Sequence, residues 1–201
     1  MRRSLITRWL MVFVLCMLAI TSACTPQGSA VGRTQSDSST AIHHDGIDRS
    51  DMLVGLIGGK NDDAADANIL KSCQTSQLKA VYVSTSDVVS YAQAAQQGMI
   101  DLAARPVSVV AVNHLDLQGQ TASTQDWRDA FEQVRQAGIP VVLIDPIDVP
   151  QDDTLYAAVF VTDDQSEGNA ADHDSDSTSL GDALMLVAND NPHDVRMTVR
   201  L

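Results

Sequence analysis

Three observations predict an α/β fold built on a doubly wound parallel sheet. Short apolar runs recur along residues 53–162 and end in glycine, asparagine, aspartate or serine/threonine. Stretches with helical spacing separate them. Several runs are apolar without alternation, as strands covered on both faces are. Strands and helices alternating at these lengths make βαβ units, and the right-handed crossover rule winds them into one sheet with helices on both sides.

Taken in order, residues 53–58 (LVGLIG) form the first predicted strand, closed by glycine. Residues 63–76 follow as a helix, with Ala64, Ala67, Ile69, Leu70 and Cys73 spaced for one face. Residues 78–84 are the second strand. Ser86 or Asp87 is placed to cap a helix running to about Ala104, with Val88, Val89, Ala92, Ala95, Met99, Ile100 and Leu102 inward. Residues 107–112 are the third strand, apolar on both faces. A helix over 123–137 carries Trp127, Phe131 and Val134 as an i, i+4, i+7 stripe and stops at Gly138. Residues 139–145 and 156–162 supply the fourth and fifth strands. Beyond them, a helix begins at 165–171 and is interrupted by the polar stretch 172–178. Residues 180–189 are helical again and 195–201 form a strand. In such a sheet a ligand binds beyond the carboxyl ends of the strands, which places it at the loops starting at Gly58, Asn113, Asp145 and Thr162.

The front of the chain has a different logic. Arg2, Arg3 and Arg8 precede an apolar run over 9–20, which breaks into Thr21-Ser22-Ala23-Cys24. A basic start, a short hydrophobic core and small residues before a cut site form an export signal. The run is shorter than the roughly 20 apolar residues of a membrane span. Residues 1–23 are therefore read as a signal peptide. The cut site resembles the bacterial lipobox, with Thr21 where leucine is usual, and Cys24 is the residue expected to carry lipid. The alternative is an ordinary signal peptide with Cys24 incidental. Residues 24–50, rich in Ser, Thr, Gly, Asp and Gln, read as a flexible linker. His43-His44-Asp45 within it is read as an adventitious cluster, not a metal site.

Composition narrows the function classes. The net charge of −13 disfavours nucleic acid and anionic membrane surfaces, which attract clustered Lys and Arg. Of the three cysteines, Cys16 leaves with the leader and Cys24 is the lipidation residue, so Cys73 stays alone as a packing residue with no intramolecular disulfide. The chain has no Walker loop, no G-x-G-x-x-G, no H-E-x-x-H, no G-x-S-x-G and no C-x-x-C. Gly55, Gly58 and Gly59 make a turn without phosphate-loop spacing. Asp172, Asp174 and Asp176 alternate like a calcium loop, but Ser177 stands where glycine is needed and Ala183 where glutamate is needed. No catalytic residue, metal ligand or cofactor is assigned, and the chain is read as a non-enzyme.

Several stretches resemble one family. Residues 130–145 (AFEQVRQAGIPVVLID) match the passage of helix, Ala-Gly-Ile-Pro-Val, strand and Asp found in the sugar-binding branch of the type I periplasmic binding proteins. These are relatives of the effector domain of LacI regulators, and the chain is ribose- and galactofuranose-binding-like. Residues 152–156 (DDTLY), 162–168 (TDDQSEG) and 91–102 (YAQAAQQGMIDL) add to the likeness. The resemblance implies that 51–164 is a first α/β lobe and that 165–201 begins a second. Those binding proteins clamp ligand between two lobes, so the chain is expected to be either truncated or a reduced single-lobe protein.

The resemblance also implies ligand contacts on the strand-end loops. They are Lys60 and Asn61 after strand one; Asn113, His114 and Asp116 after strand three; Asp145 after strand four; and Asp163 after strand five. Asp145 is followed by Pro146, where the family commonly has arginine. The implied function is a solute-binding lipoprotein of an ABC-type importer that takes a monosaccharide-like ligand. Its partners are that sugar-like molecule, the transporter permease and the membrane through the lipid anchor, on the extracytoplasmic side. The alternative from another class is a single-lobe surface lipoprotein serving as a protein-interaction or sensory module.

Overall fold

The computed structural model describes residues 46–118, 124–163 and 177–201. The leader, Cys24, His43-His44-Asp45, the helix start over 165–171 and the Asp172, Asp174 and Asp176 alternation lie outside the described residues. The strands are β1 (Leu53–Ile57), β2 (Lys79–Val83), β3 (Val109–Asn113), β4 (Val141–Ile144), β5 (Ala158–Thr162), β6 (Thr178–Ser179) and β7 (Arg196–Arg200). They form one sheet in the order β2-β1-β3-β4-β5-β7-β6, and every neighbouring pair is parallel. The α/β doubly wound architecture predicted from sequence is the one observed.

Successive side chains of a strand point to opposite faces, so the uninterrupted apolar runs supply a core layer on each side of the sheet. Val54 and Leu56 of β1, Val109 and Ala111 of β3, and Val142 and Ile144 of β4 enter one core layer. It is shared with Ile69 and Cys73 of α1 (Asp63–Thr75) and with Leu180, Leu184 and Val187 of α4 (Leu180–Ala188). The intervening residues Ile57, Val110, Val112, Val141 and Leu143 face the opposite layer. There they meet Met99 and Leu102 of α2 (Tyr91–Ala103) and Trp127, Phe131 and Val134 of α3 (Thr124–Gln136). All five residues of β3 are buried, as befits a central strand. Gly55 permits close helix-to-sheet approach, since a Cβ there would stand 2.8 Å from Leu102 Cδ1.

The start of α2 differs from expectation. Ser90, not Ser86 or Asp87, is its N-cap, accepting the Gln93 N–H. Ser86 donates instead to Asp63 on α1, and Asp87 takes a left-handed conformation at φ 56°. These features turn the chain before the helix begins, so Val88 and Val89 are exposed and not inward.

The terminal helix and strand expected from the sequence are present, and they build onto the same sheet. β7 inserts between β5 and β6, and α4 packs beside α1. The segment before β1 is fastened to this tail. Arg49 pairs with Asp182 at 2.5 Å and donates to Ser76 O at 3.2 Å, bridging the carboxyl end of α1 and the first turn of α4. No helix among the described residues is long and apolar enough to cross a membrane.

Candidate ligand crevice

The strand order creates a topological switch point. From β1 the chain moves outward to β2, then crosses back to β3 on the other side, so the loops leaving β1 and β3 diverge. In open α/β sheets that divergence opens a crevice at the carboxyl ends of the strands. Backbone turns set its rim: Asn61 after β1, His114 after β3 and Asp145 after β4 have φ of 56°, 44° and 42°. Asparagine and aspartate tolerate this left-handed region better than most residues.

Side chains link the two diverging loops. Lys60 Nζ lies 3.3 Å from Asp116 Oδ2. His114 Nδ1 lies 2.6 Å from Asp62 Oδ2. A carboxylate only accepts, so the proton on that imidazole nitrogen is donated to Asp62. Asp62 also caps α1 through the Ala65 N–H at 3.3 Å, and Asp116 accepts the Gln118 N–H at 3.0 Å. Each link is partly exposed, and such pairs contribute about 0–1 kcal/mol.

Beneath the turn sits a buried carboxylate. Asp66 is 1% exposed, and its Oδ1 accepts both the Gly59 N–H at 3.0 Å and the Asn113 Nδ2–H at 2.7 Å. Its Oδ2 accepts the Tyr82 hydroxyl at 2.7 Å. Burial, and then the bond donated to Asp66, push the Tyr82 phenol up to about 12. Thr85, also buried, directs its hydroxyl at Gly58 O and Gly59 O, at 2.9 and 3.0 Å. Gly58 is required here, because a Cβ would stand 2.5 Å from Asp66 Oδ2 and 2.8 Å from the Tyr82 hydroxyl.

Of the sequence-derived candidates, Lys60, Asn113, His114 and Asp116 are joined into this β1–β3 constellation, and Asn61 forms its outer turn. Asp145 and Asp163 stand at the ends of β4 and β5. Both Asp145 oxygens are occupied by Thr162, whose N–H donates at 2.9 Å and whose hydroxyl donates at 2.5 Å. The backbone of Asp163 donates to Val199 O at 2.8 Å and ties the β5 end to β7. Trp127 and Phe131 are core residues, packed at a ring separation of 6.3 Å.

Asp62, Asp66, Tyr82 and Thr85 were not among the sequence candidates. A signal for Asp66 existed: it lies three residues before Ile69 and seven before Cys73, on the apolar stripe of α1. A carboxylate on a buried face needs partners. Grooves of about 520 Å³ lie elsewhere, one beside α1 and β7 that includes Lys71 and Arg200, the other between α3 and the β4–β5 connection.

No protein-family model matches the chain, and no curated protein matches it. Among solved structures, it is similar to the periplasmic binding protein component of the arabinose ABC transporter from Shewanella sp. ANA-3, bound to α- and β-L-arabinofuranose. That similarity has 14% identity, a TM-score of 0.44, and coverage of 56% of this chain and 35% of the other. It is also similar to a galactofuranose binding protein, with 18% identity, a TM-score of 0.43, and coverage of 56% and 36%. A third similar structure, from Mycobacterium smegmatis in complex with β-D-fucofuranose, has 16% identity, a TM-score of 0.42, and coverage of 56% and 35%. The chain thus spans about a third of the length of these structures.

Proposed function

We propose that the chain is a solute-binding lipoprotein of an ABC-type importer and that the β1–β3 crevice contacts a monosaccharide-like ligand. The observation that carries this reading is the alternation of donors and acceptors across the switch point. Lys60 and His114 supply donors, Asp62 and Asp116 supply acceptors, and Asn113 supplies an amide at the crevice base. Vicinal hydroxyls each donate and accept, so paired groups of both kinds suit them. The weak ion pairs joining the loops can exchange for ligand hydroxyls at low cost. Lysine, histidine, aspartate and asparagine in these roles bind and orient; nothing in the constellation needs a reacting nucleophile. The proposal includes export directed by residues 1–23, lipid on Cys24, a tether over 24–50 and delivery of solute to a permease.

Calorimetric titration of the chain with L-arabinose, D-galactose and D-fucose tests it. Saturable one-to-one binding of at least one sugar supports the reading. Absence of binding across the panel contradicts it.

A further inference from the structure

The Asp66–Asn113 contact dictates what Asn113 offers. Asp66 Oδ1 already accepts the Gly59 N–H, so it acts as an acceptor toward Asn113 as well. An asparagine amide has one donating and one accepting end. With Nδ2 committed to Asp66, the remaining group is the carbonyl Oδ1. That atom is buried and meets no hydrogen-bond donor among the described residues. Buried acceptors of this kind cost free energy unless a donor reaches them. Gly59 crosses closely over the amide, since a Cβ there would stand 3.0 Å from Asn113 Nδ2 and 3.2 Å from His114 Cβ. Asn113 thus lies at the carboxyl end of β3, beneath the Gly59 turn that Lys60 and Asn61 continue.

Charge points the same way. Asp62, Asp66 and Asp116 all belong to the constellation, against Lys60 and the His114 imidazole. Lys60 is already paired with Asp116, and His114 with Asp62. With three carboxylates against the single ammonium of Lys60, the constellation repels an incoming anion more than it neutralises it.

We propose that Asp66 is a positioning residue that holds Asn113 as an acceptor. The crevice then selects ligands presenting hydroxyl or amine donors and rejects carboxylated or phosphorylated sugars. This rests on the solute-binding reading of the same crevice and specifies its ligand class.

The test is competition within matched pairs that keep the sugar ring, D-galactose against D-galacturonate and D-galactose against D-galactose 6-phosphate, titrated into the full chain at neutral pH. The acid is expected to bind at least about tenfold more weakly than its neutral partner. In Asp66→Asn the new amide can donate to Asn113 Oδ1. Neutral-sugar affinity should then fall by about tenfold and the neutral-to-acid ratio should shrink. A general loosening of the loops would lower both affinities and leave the ratio unchanged. Tyr82→Phe removes a different bond from Asp66 and should keep the wild-type ratio. An acid that binds as tightly as its neutral partner overturns the inference alone, as does an unchanged ratio in Asp66→Asn. If Asp66→Asn does not fold, the wild-type ratio still decides. If no sugar in either pair binds, the solute-binding reading falls and takes this inference with it.

Discussion

The Tyr82 hydroxyl donates to the buried carboxylate of Asp66 at 2.7 Å, joining the second strand to the first turn of α1 beneath the crevice. The phenol pKa is raised to about 12, by burial first and by this bond second. A group whose pKa is higher in the folded state supports the fold while it stays protonated. The unfolded chain releases the proton near pH 10 and the folded chain only near 12. The stability contributed by Tyr82 should therefore be fully present below pH 10 and decline as pH rises from 10 toward 12. Urea unfolding across that range should show a decline to which buried Tyr91 and Cys73 also contribute, and Tyr82→Phe should make it shallower.

Gly58→Ala places a methyl group where Asp66 Oδ2 and the Tyr82 hydroxyl already stand. Overpacking of this kind costs about 1–3 kcal/mol. The expected outcome is a lower unfolding midpoint in denaturant. Loss of the Tyr82–Asp66 bond should also return the Tyr82 absorbance titration toward 10.

Cys73 is fully buried in the core layer shared by α1 and α4, and burial pushes its thiol up to about 11, partly offset by a backbone hydrogen bond. Native protein treated with iodoacetamide at mildly alkaline pH should leave Cys73 unmodified, and denatured protein should be alkylated there. Peptide mapping by mass spectrometry distinguishes it from Cys16 and Cys24. With the thiol raised above its ordinary 9.0, its contribution to stability is present below that value and lost between 9 and 11.

Phe131 fills the α2–α3 layer at 1% exposure, against Trp127. Phe131→Ala should destabilise by about 3–5 kcal/mol, measured by equilibrium urea unfolding. The crevice is built from other residues, so a folded Phe131→Ala protein should keep its sugar affinity in calorimetric titration.

Asn189 holds the backbone of Ile47, accepting its N–H at 2.6 Å and donating to its carbonyl at 3.5 Å. Asn189→Ala should release the segment before β1 at a cost of about 1 kcal/mol. Hydrogen exchange should speed up over 46–51 and stay unchanged in β3.

Much of the fold was legible because its signals are local. The uninterrupted apolar runs of β1, β3 and β4 announce strands buried on both faces, and the stripe of Trp127, Phe131 and Val134 announces a helix. The sequence places the start of α2 too early because Ser86 and Asp87 look like caps on propensity alone, whereas Ser90 is the cap. Only the contact from Ser86 to Asp63, 23 residues away, takes Ser86 out of that role.

The crevice was legible as a place and less so as a set of contacts. The parallel sheet follows from βαβ logic, and Lys60, Asn113, His114 and Asp116 follow from position at strand ends. Their partners do not. Asp66 meets Asn113 across 47 residues, and Lys60 meets Asp116 across 56. Counting only the apolar positions of α1 hid the one buried carboxylate on that face.

The most direct test of the central claim is an amide chemical-shift map of the chain on addition of the sugar that binds it most tightly. If the crevice holds the ligand, the largest shifts fall on Gly58, Gly59, Lys60, Asn113 and His114, and the amides of α4 and β7 stay in place. Shifts centred on α4, or on the groove beside Lys71 and Arg200, would contradict the assignment of the site.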